Sequence, residues 1–196
     1  ILTSRMIDRP MRPLFPADLR NDVSIVTTVL SVEQDNAPEI AALIAASIAV
    51  SISDVPWNGP IAGVWLGIVD GKFVINPTVE EQKVSGMHVT VAGTKQKIVM
   101  IDAGANEIEE SVMLEGLKYA HSVIKDLCDF ISGIQAEIGK PKMEYEAHDI
   151  DHDLYDKIKE TEYANIQHAL DTDDKNVRDE RLGVITDRII ENFSEE

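Results

Sequence analysis

Three arginines near the start of the sequence are spaced so that they could bind a polyanion. Arg5, Arg9 and Arg12 stand at i, i+4 and i+7, which on an α-helix would place them within an arc of roughly 60°. The guanidinium group is always charged, and its planar fork of donors suits phosphate oxygens. The spacing therefore predicts a cationic strip that contacts the phosphates of a nucleic acid or a nucleotide.

A structural role for the same arginines is also open. Asp8 lies three residues after Arg5 and four before Arg12, so ion pairs along the helix would account for the arginines without a ligand. Pro10 adds a complication, because a proline inside a helix removes a hydrogen bond and usually kinks or ends it. The sequence thus leaves open whether Arg12 stays in line with Arg9.

The prolines of this segment permit a third interpretation. Pro10, Pro13 and Pro16 recur every three residues, which is the period of a polyproline II helix that an SH3-type groove could bind. The intervening residues are bulky and apolar, which favours burial of the segment as an ordered turn; they are Met11, Leu14 and Phe15.

Other residues that could do chemistry give weaker patterns. His148 and His152 would share a helix face as metal ligands do, but the acidic, turn-like composition around them favours a solvated loop. His88 and His121 stand alone and are interpreted as half-buried packing residues. Trp57 is either a stacking platform for a base or a core residue, and we favour the core. No catalytic residue and no metal ligand is predicted.

Composition narrows the class of protein. The 196 residues carry a net charge of −17 and are 44% hydrophobic, which is typical of a soluble globular chain. No apolar run approaches the ~18 residues of a membrane span, and no signal peptide is evident, so we expect no membrane role. The single cysteine, Cys128, lies on the apolar side of a helical pattern, which predicts a buried thiol and fits a reducing cytoplasm.

The charge is segregated along the sequence. Residues 1–20 carry four Arg against two Asp, a net of +2, whereas residues 145–196 carry sixteen acidic against six basic residues, a net of −10. We expect one edge of the molecule to meet a polyanion while the acidic part faces solvent or partners.

The pattern of apolar residues predicts an α+β fold followed by helices. The first half should contain a strand buried on both faces, a central helix and two strand pairs, the first joined by Asp70-Gly71. These are residues 23–32, 38–53, 61–69 with 72–75, and 87–92 with 97–103. No glycine-rich phosphate loop indicates a βαβ nucleotide fold.

Residues 107–138 carry one apolar stripe with steps of three and four, which predicts a long helix. The stripe comprises Leu117, Ala120, Ile124, Leu127, Ile131, Ile134 and Ile138. A coiled-coil seam is possible, but a helix laid across the sheet is the commoner arrangement. Beyond Gly139 and Pro141, residues 151–167 and 174–196 are polar and helical, with enough apolar residues for a small bundle.

Several long strings make the sequence recognisable. SRMIDRPMRPLFP, VSIVTTVLSVEQD, the stretch APEIAALIAASIAVSISDVPWNGPIAGVWLGIVDGKFVINPT and VAGTKQKIVMIDAGANEI closely resemble bacterial polynucleotide phosphorylases. The resemblance covers essentially the whole chain and is most specific over residues 1–110. Because the sequence starts inside a patterned segment, we expect a piece of a longer polypeptide.

The resemblance implies a fold and an activity. Such enzymes join two ribonuclease-PH-like cores by an all-helical domain, close three chains into a ring, and phosphorolyse single-stranded RNA from its 3′ end with Mg2+ and inorganic phosphate. Residues 1–144 would be the later part of the first core, a mixed sheet packed with helices, and residues 145–196 the start of the helical domain. Arg5, Arg9 and Arg12 would position RNA phosphates.

The sequence also departs from the family pattern. The arginine-bearing segment upstream, the second core with its serine-containing phosphate site and acidic metal ligands, and the KH and S1 modules do not occur in it. We expect a cytoplasmic parent enzyme of messenger RNA degradation, with RNA, two further copies and other RNA-degradation proteins as partners, and an inactive isolated segment with an exposed sheet edge. The alternative is a non-catalytic assembly module without RNA contact.

Overall fold

The computed structural model describes residues 1–36, 38–146 and 150–193. The chain forms two compact units, Ile1–Ala147 and His148–Glu196. The first combines an antiparallel sheet with helices, and the described part of the second is helical. The α+β class predicted from the sequence is confirmed.

Helix α1 carries the arginines. It runs from Leu2 to Met11 and continues into a 3-10 turn, Arg12–Leu14. Pro10 lies inside the helix and is fully buried, while Arg12 keeps helical backbone angles of φ −54° and ψ −45°. Because Pro10 stands in the last turn, its missing N–H removes a single bond and does not divert Arg12. A helical, buried Pro10 also makes the polyproline interpretation wrong.

The strand predicted at residues 23–32 does not form. This segment belongs to no helix or strand, and Val26 and Leu30 are 84% and 93% exposed, although Ile25 packs against the core beneath α1. A β-strand exists only through hydrogen bonds to a neighbour, and among the described residues no strand lies alongside. The prediction of a strand buried on both faces is therefore wrong.

The predicted central helix is α2, Pro38–Ile52. It packs against α1 and against the sheet, and its buried residues include Leu43 and Ser47. The Ser47 hydroxyl accepts a hydrogen bond from the backbone N–H of Ile61 at 3.1 Å. This bond ties the helix to the chain just before the first strand and satisfies a polar group in the core.

The carboxyl end of α2 is held by a distant residue. Lys142 Nζ donates to the backbone carbonyls of Val50, Ser51 and Ser53 at 2.9, 3.1 and 2.7 Å. Burial lowers the pKa of Lys142, and the nearby Asp54 carboxylate opposes this shift. The ammonium thus takes the place of the glycine cap that often closes a helix.

Both predicted hairpins form and make one sheet. Strands β1 (Ala62–Val69) and β2 (Lys72–Ile75) are joined by Asp70 and Gly71, whose positive φ angles of 49° and 74° are those of a two-residue primed turn. Strands β3 and β4 span Met87–Gly93 and Ile98–Ala105.

The strand order is β2-β1-β3-β4, and every pairing in it is antiparallel. The expected mixed sheet is thereby corrected. Tight turns join β1 to β2 and β3 to β4 and impose antiparallel pairing there, and β3 lies beside β1 in the opposite direction.

One short helix was not predicted. Helix α3, Val79–Val84, connects β2 to β3 and opens with a capping box between Thr78 and Glu81.

The predicted long helix is α4, Glu110–Ile138, and it packs across one face of the sheet. It begins three residues later than predicted, because Glu107 has a positive φ of 51°, which a right-handed helix excludes. The core between helix and sheet consists of apolar residues from both: Val64, Leu66, Val89, Val91, Ala120, Ile124 and Cys128. The other face of the sheet carries α1 and α2, so the sheet lies between two helical layers.

Three predicted packing residues are found in the first unit. Trp57 is 9% exposed and contacts Phe15, with ring centroids 5.9 Å apart, so it is a core residue. Cys128 is buried, and desolvation raises the pKa of its thiol to about 11. His121 is half-buried, with Nε2 3.0 Å from the carbonyl oxygen of Thr94.

The described part of the second unit is a pair of packed helices, α5 (His152–Leu170) and α6 (Lys175–Phe193), as predicted. Its buried side chains include Ala169, Ile185 and the charged Glu162. Glu162 accepts hydrogen bonds from Arg188 of the facing helix and from Asn165, which lower its pKa. A charge-assisted contact thus joins the two helices.

In the ranges that the structure describes, no helix combines the length and the apolarity that crossing a membrane requires.

Candidate nucleic-acid interface

Helix α1 has a buried side and an exposed side. Ile7, Pro10 and Met11 are buried and anchor the helix to the core that it shares with α2. Arg5 and Arg9 are exposed. The anchoring fixes the direction in which the cationic side of the helix faces, because an amphipathic helix cannot rotate without exposing its apolar stripe.

Arg12 is partly neutralised by its neighbour. Its Nη2 and Nε donate to the two carboxylate oxygens of Asp8 at 2.6 and 3.3 Å. The Arg12 and Asp8 side chains are 77% and 38% exposed, so solvent screens the pair and it contributes less than about 1 kcal/mol to stability. Of the three predicted residues, Arg12 is the one for which the structural role has direct support.

Arg5 and Arg9 are differently placed. Within the described ranges neither guanidinium has a hydrogen bond or an ion pair. Two solvated, unpaired guanidinium groups on a rigid helix can each bind a phosphate in bidentate fashion.

Two cavities flank α1. One, of about 650 Å3, lies between the helix and the irregular segment that follows it, and both Arg5 and Arg12 border it. The other, of about 580 Å3, lies between the helix and the sheet, and both Arg5 and Arg9 border it. The three arginines are therefore divided between two cavities, with Arg5 common to both.

The floor of the cavity between α1 and the sheet contains residues that the sequence analysis did not select. Trp65, Thr90 and Asp102 border it, as does His88, which is exposed, so the interpretation of His88 as half-buried is wrong. The Trp65 and His88 rings meet edge to face, with centroids 4.8 Å apart. Only the register between strands, which no short pattern specifies, could have brought them together.

In the described ranges, no group of three His, Cys, Asp or Glu side chains is placed to hold a metal ion. Of the pair considered from the sequence, His148 lies outside the described residues.

Two family models match the chain. They are described as 3′ exoribonuclease family, domain 1, over residues 1–56, and 3′ exoribonuclease family, domain 2, over residues 59–123. Together they include α1, α2 and the whole sheet.

Curated relatives named polyribonucleotide nucleotidyltransferase match nearly the whole chain. The protein of Ruminiclostridium cellulolyticum is 55% identical over 95% of this chain and 27% of its own length. Those of Caldicellulosiruptor saccharolyticus and Clostridioides difficile are each 46% identical, over 100% and 98% of this chain and 28% of their own lengths. The chain thus spans little more than a quarter of the relatives that it matches.

A solved structure, that of rice (Oryza sativa) Rrp46, overlaps 54% of this chain and 51% of its own at 12% identity and a TM-score of 0.48. An overlap of this degree carries no argument about function.

Proposed function

Since this chain belongs to the 3′ exoribonuclease family, we propose that it is part of a phosphate-dependent 3′-to-5′ exoribonuclease that degrades messenger RNA. The reaction would be that of a polynucleotide phosphorylase, in which RNA and inorganic phosphate give nucleoside diphosphates reversibly. The names of the relatives support this activity, and they belong to proteins more than three times as long as the chain. We assign to this chain the scaffold and part of the RNA path.

The exposed arginines of α1 are the observation that supports an RNA contact. Arg5 and Arg9 project from a helix whose other side is anchored in the core, and neither is neutralised by a described residue. In a chain with a net charge of −17, two neighbouring cations without a carboxylate partner form a local positive patch that can attract a polyanion. RNA phosphates are the ligand that fits the family and the charge.

The proposal assigns no chemical step to the described residues. Phosphoryl transfer needs positioned cations and usually a metal ion. Among the described residues, no group of three His, Cys, Asp or Glu side chains is placed to hold a metal ion, so we assign Mg2+ no ligand in this part of the chain. Mg2+ and phosphate would act elsewhere in the parent enzyme, and the segment alone would be inactive.

The proposal includes an assembly and a location. The resemblance to polynucleotide phosphorylases supports a ring of three chains around single-stranded RNA, further RNA-degradation proteins as partners, and the cytoplasm as the compartment. Residues 1–144 would be a partial first core and residues 145–196 the start of the helical domain.

The test is binding of a fluorescent single-stranded oligoribonucleotide of about twelve nucleotides, followed by anisotropy at several salt concentrations. Arg9→Gln should weaken binding about tenfold, because a charge-assisted hydrogen bond is lost. It should also reduce the slope of log affinity against log salt by about 0.7. Arg178→Gln, which removes the same charge from the second unit, is the control and should change neither quantity.

The same titration separates the alternatives. Arg12→Gln should have a smaller effect than Arg9→Gln, because Asp8 already neutralises Arg12. If none of the folded variants differs from the parent chain, or if the parent chain does not bind RNA, the arginines belong to a non-catalytic assembly module and the RNA contact is refuted.

A further inference from the structure

The cavity between α1 and the sheet has a floor set by strand register. Trp65 of β1 pairs with Thr90 of β3, and Thr90 pairs with Asp102 of β4. Partners in an antiparallel sheet point to the same face, so these three side chains form a row across three strands. The row lies on the face opposite α4, because the intervening residues, such as Val64 and Val89, pack beneath that helix.

The neighbouring row of the floor is open. His88 pairs with Gly67 on one side and with Gly104 on the other, so no side chain flanks the imidazole within its row. A Cβ built on Gly104 would meet no atom within 4 Å. The aromatic pair of Trp65 and His88 therefore borders open space on the Gly104 side, whereas Ser85 and Pro77 occupy the space over Gly67.

The position of Trp65 is fixed by its backbone. Asn76 Oδ1 accepts a hydrogen bond from the backbone N–H of Trp65 at 2.9 Å, and the backbone N–H of Asn76 donates to the Trp65 carbonyl at 2.8 Å. These bonds extend the pairing of β1 beyond its last ladder partner on β2. The backbone position of Trp65 is thereby fixed, and its indole ring makes the edge-to-face contact with His88.

The wall and the rim of the cavity add apolar, cationic and acidic side chains to the floor. Helix α1 supplies Met6 and the two unpaired arginines, Arg5 and Arg9, and the start of α2 supplies Glu39. The volume of about 580 Å3 lies in the range of small-molecule sites. The carboxylates Glu39 and Asp102 would repel a phosphate from the interior, but they can accept hydrogen bonds from the N–H groups of a neutral ring.

We propose that this cavity binds a base of single-stranded RNA, which stacks on the Trp65–His88 pair while its phosphates contact Arg5 and Arg9. The inference rests on the proposed RNA contact and adds a base-binding pocket to it. An aromatic surface next to cations is the arrangement by which proteins hold single-stranded nucleic acid, since every base has a face that can stack. The base edge would donate to Asp102 and contact Thr90.

The experiment compares a single-stranded oligoribonucleotide with an abasic oligomer of the same length, using the full chain and two variants. Trp65→Leu should weaken binding of the oligoribonucleotide about tenfold, the loss expected for one stacked base, with an unchanged salt slope. His88→Ala, at an exposed position that folding does not require, should weaken it severalfold. Neither variant should change the affinity for the abasic oligomer.

A spectroscopic measurement guards against misfolding of the Trp65 variant. Trp57 and Trp65 are the two tryptophans of the chain, so Trp57→Phe leaves Trp65 as the sole tryptophan emitter. The oligoribonucleotide should quench its emission, and the abasic oligomer should not.

The outcomes distinguish the base-binding pocket from the phosphate contact on which it rests. If Arg9→Gln weakens RNA binding but Trp65→Leu and His88→Ala do not, and no quenching occurs, the base pocket is refuted and the phosphate contact stands. If the parent chain does not bind RNA, both proposals fail.

Discussion

The side chain of Lys142 satisfies three backbone carbonyls at the carboxyl end of α2. Helix ends leave such carbonyls without intrahelical partners. The Val50 carbonyl also accepts from the Ser53 hydroxyl, but loss of the charged donor would deprive the carbonyls of Ser51 and Ser53 of this partner. One residue distant in sequence therefore closes the central helix of the first unit.

Replacing Lys142 by Met should reveal this role. Lys142→Met should destabilise the first unit by about 1–2 kcal/mol, because hydrogen bonds from a charged group are lost while the aliphatic stem is kept. Urea unfolding followed by tryptophan fluorescence would measure it. Lys140→Met is the matched control, since Lys140 is exposed and the substitution keeps its backbone hydrogen bond to the Ile52 carbonyl. Equal stability of the two variants would contradict the role.

At the residue scale, local chemistry could be predicted and non-local chemistry could not. The spacing of Arg5 and Arg9 is readable because both lie on one helix, and their exposure follows from the apolar stripe behind them. Trp65, Thr90 and Asp102 come together only through the pairing of three strands, so no window of sequence contains them.

The same distinction holds for the elements. The turn at Asp70-Gly71 was predictable because its positive φ angles are imposed by the two residues themselves. The stripe of α4 was predictable because helical spacing is local. Residues 23–32 have strong β propensity but do not pair with another described strand. Propensity describes how well a residue fits into a sheet, and it does not provide the neighbouring strand.

The unpaired segment 23–32 has a consequence for solution behaviour. Its exposed apolar residues include Val26, at 84%, and Leu30, at 93%, and its backbone groups are available for pairing. Extended apolar segments of this kind associate with one another. We expect the chain to self-associate as its concentration rises.

A single charge should suppress this association. Val26→Lys should raise the monomeric fraction severalfold in size-exclusion chromatography with light scattering, because a buried ammonium is costly in a strand-to-strand contact. Val84→Lys, which adds the same charge at a position that is 69% exposed on α3, should have little effect. If both substitutions act alike, net charge and not the segment controls association.

At the scale of the whole molecule, the two units differ in how much they bury. The first has apolar cores on both faces of its sheet, whereas the described part of the second buries Ala169, Ile185 and the charged Glu162. Both tryptophans lie in the first unit, so their emission reports on that unit alone. Circular dichroism reports on the helices of both.

The second unit should be sensitive to acid through Glu162. Hydrogen bonds from Arg188 and Asn165 lower the pKa of Glu162 below its ordinary value of 4.5, so the unfolded chain takes up this proton at a higher pH than the folded chain. The stabilisation is complete above pH 4.5 and is lost as the pH falls through the lower folded pKa. Helicity should therefore decrease in acid before tryptophan emission changes.

Glu162→Gln should remove this acid-dependent decrease and lower the helicity at neutral pH. Asp179→Asn provides the control, because Asp179 is exposed and lies 3.7 Å from Arg178. Coincident changes in helicity and emission in the parent chain would show that the two units do not respond separately.

The buried thiol between α4 and the sheet can report on opening of the first unit. Cys128 is buried, and its pKa of about 11 leaves almost none of it as the reactive thiolate at neutral pH. A thiol reagent in solution can modify it only when α4 separates from the strands beneath it. The rate of modification would then follow the population of the open form, and RNA held between α1 and the opposite face of the sheet should slow it.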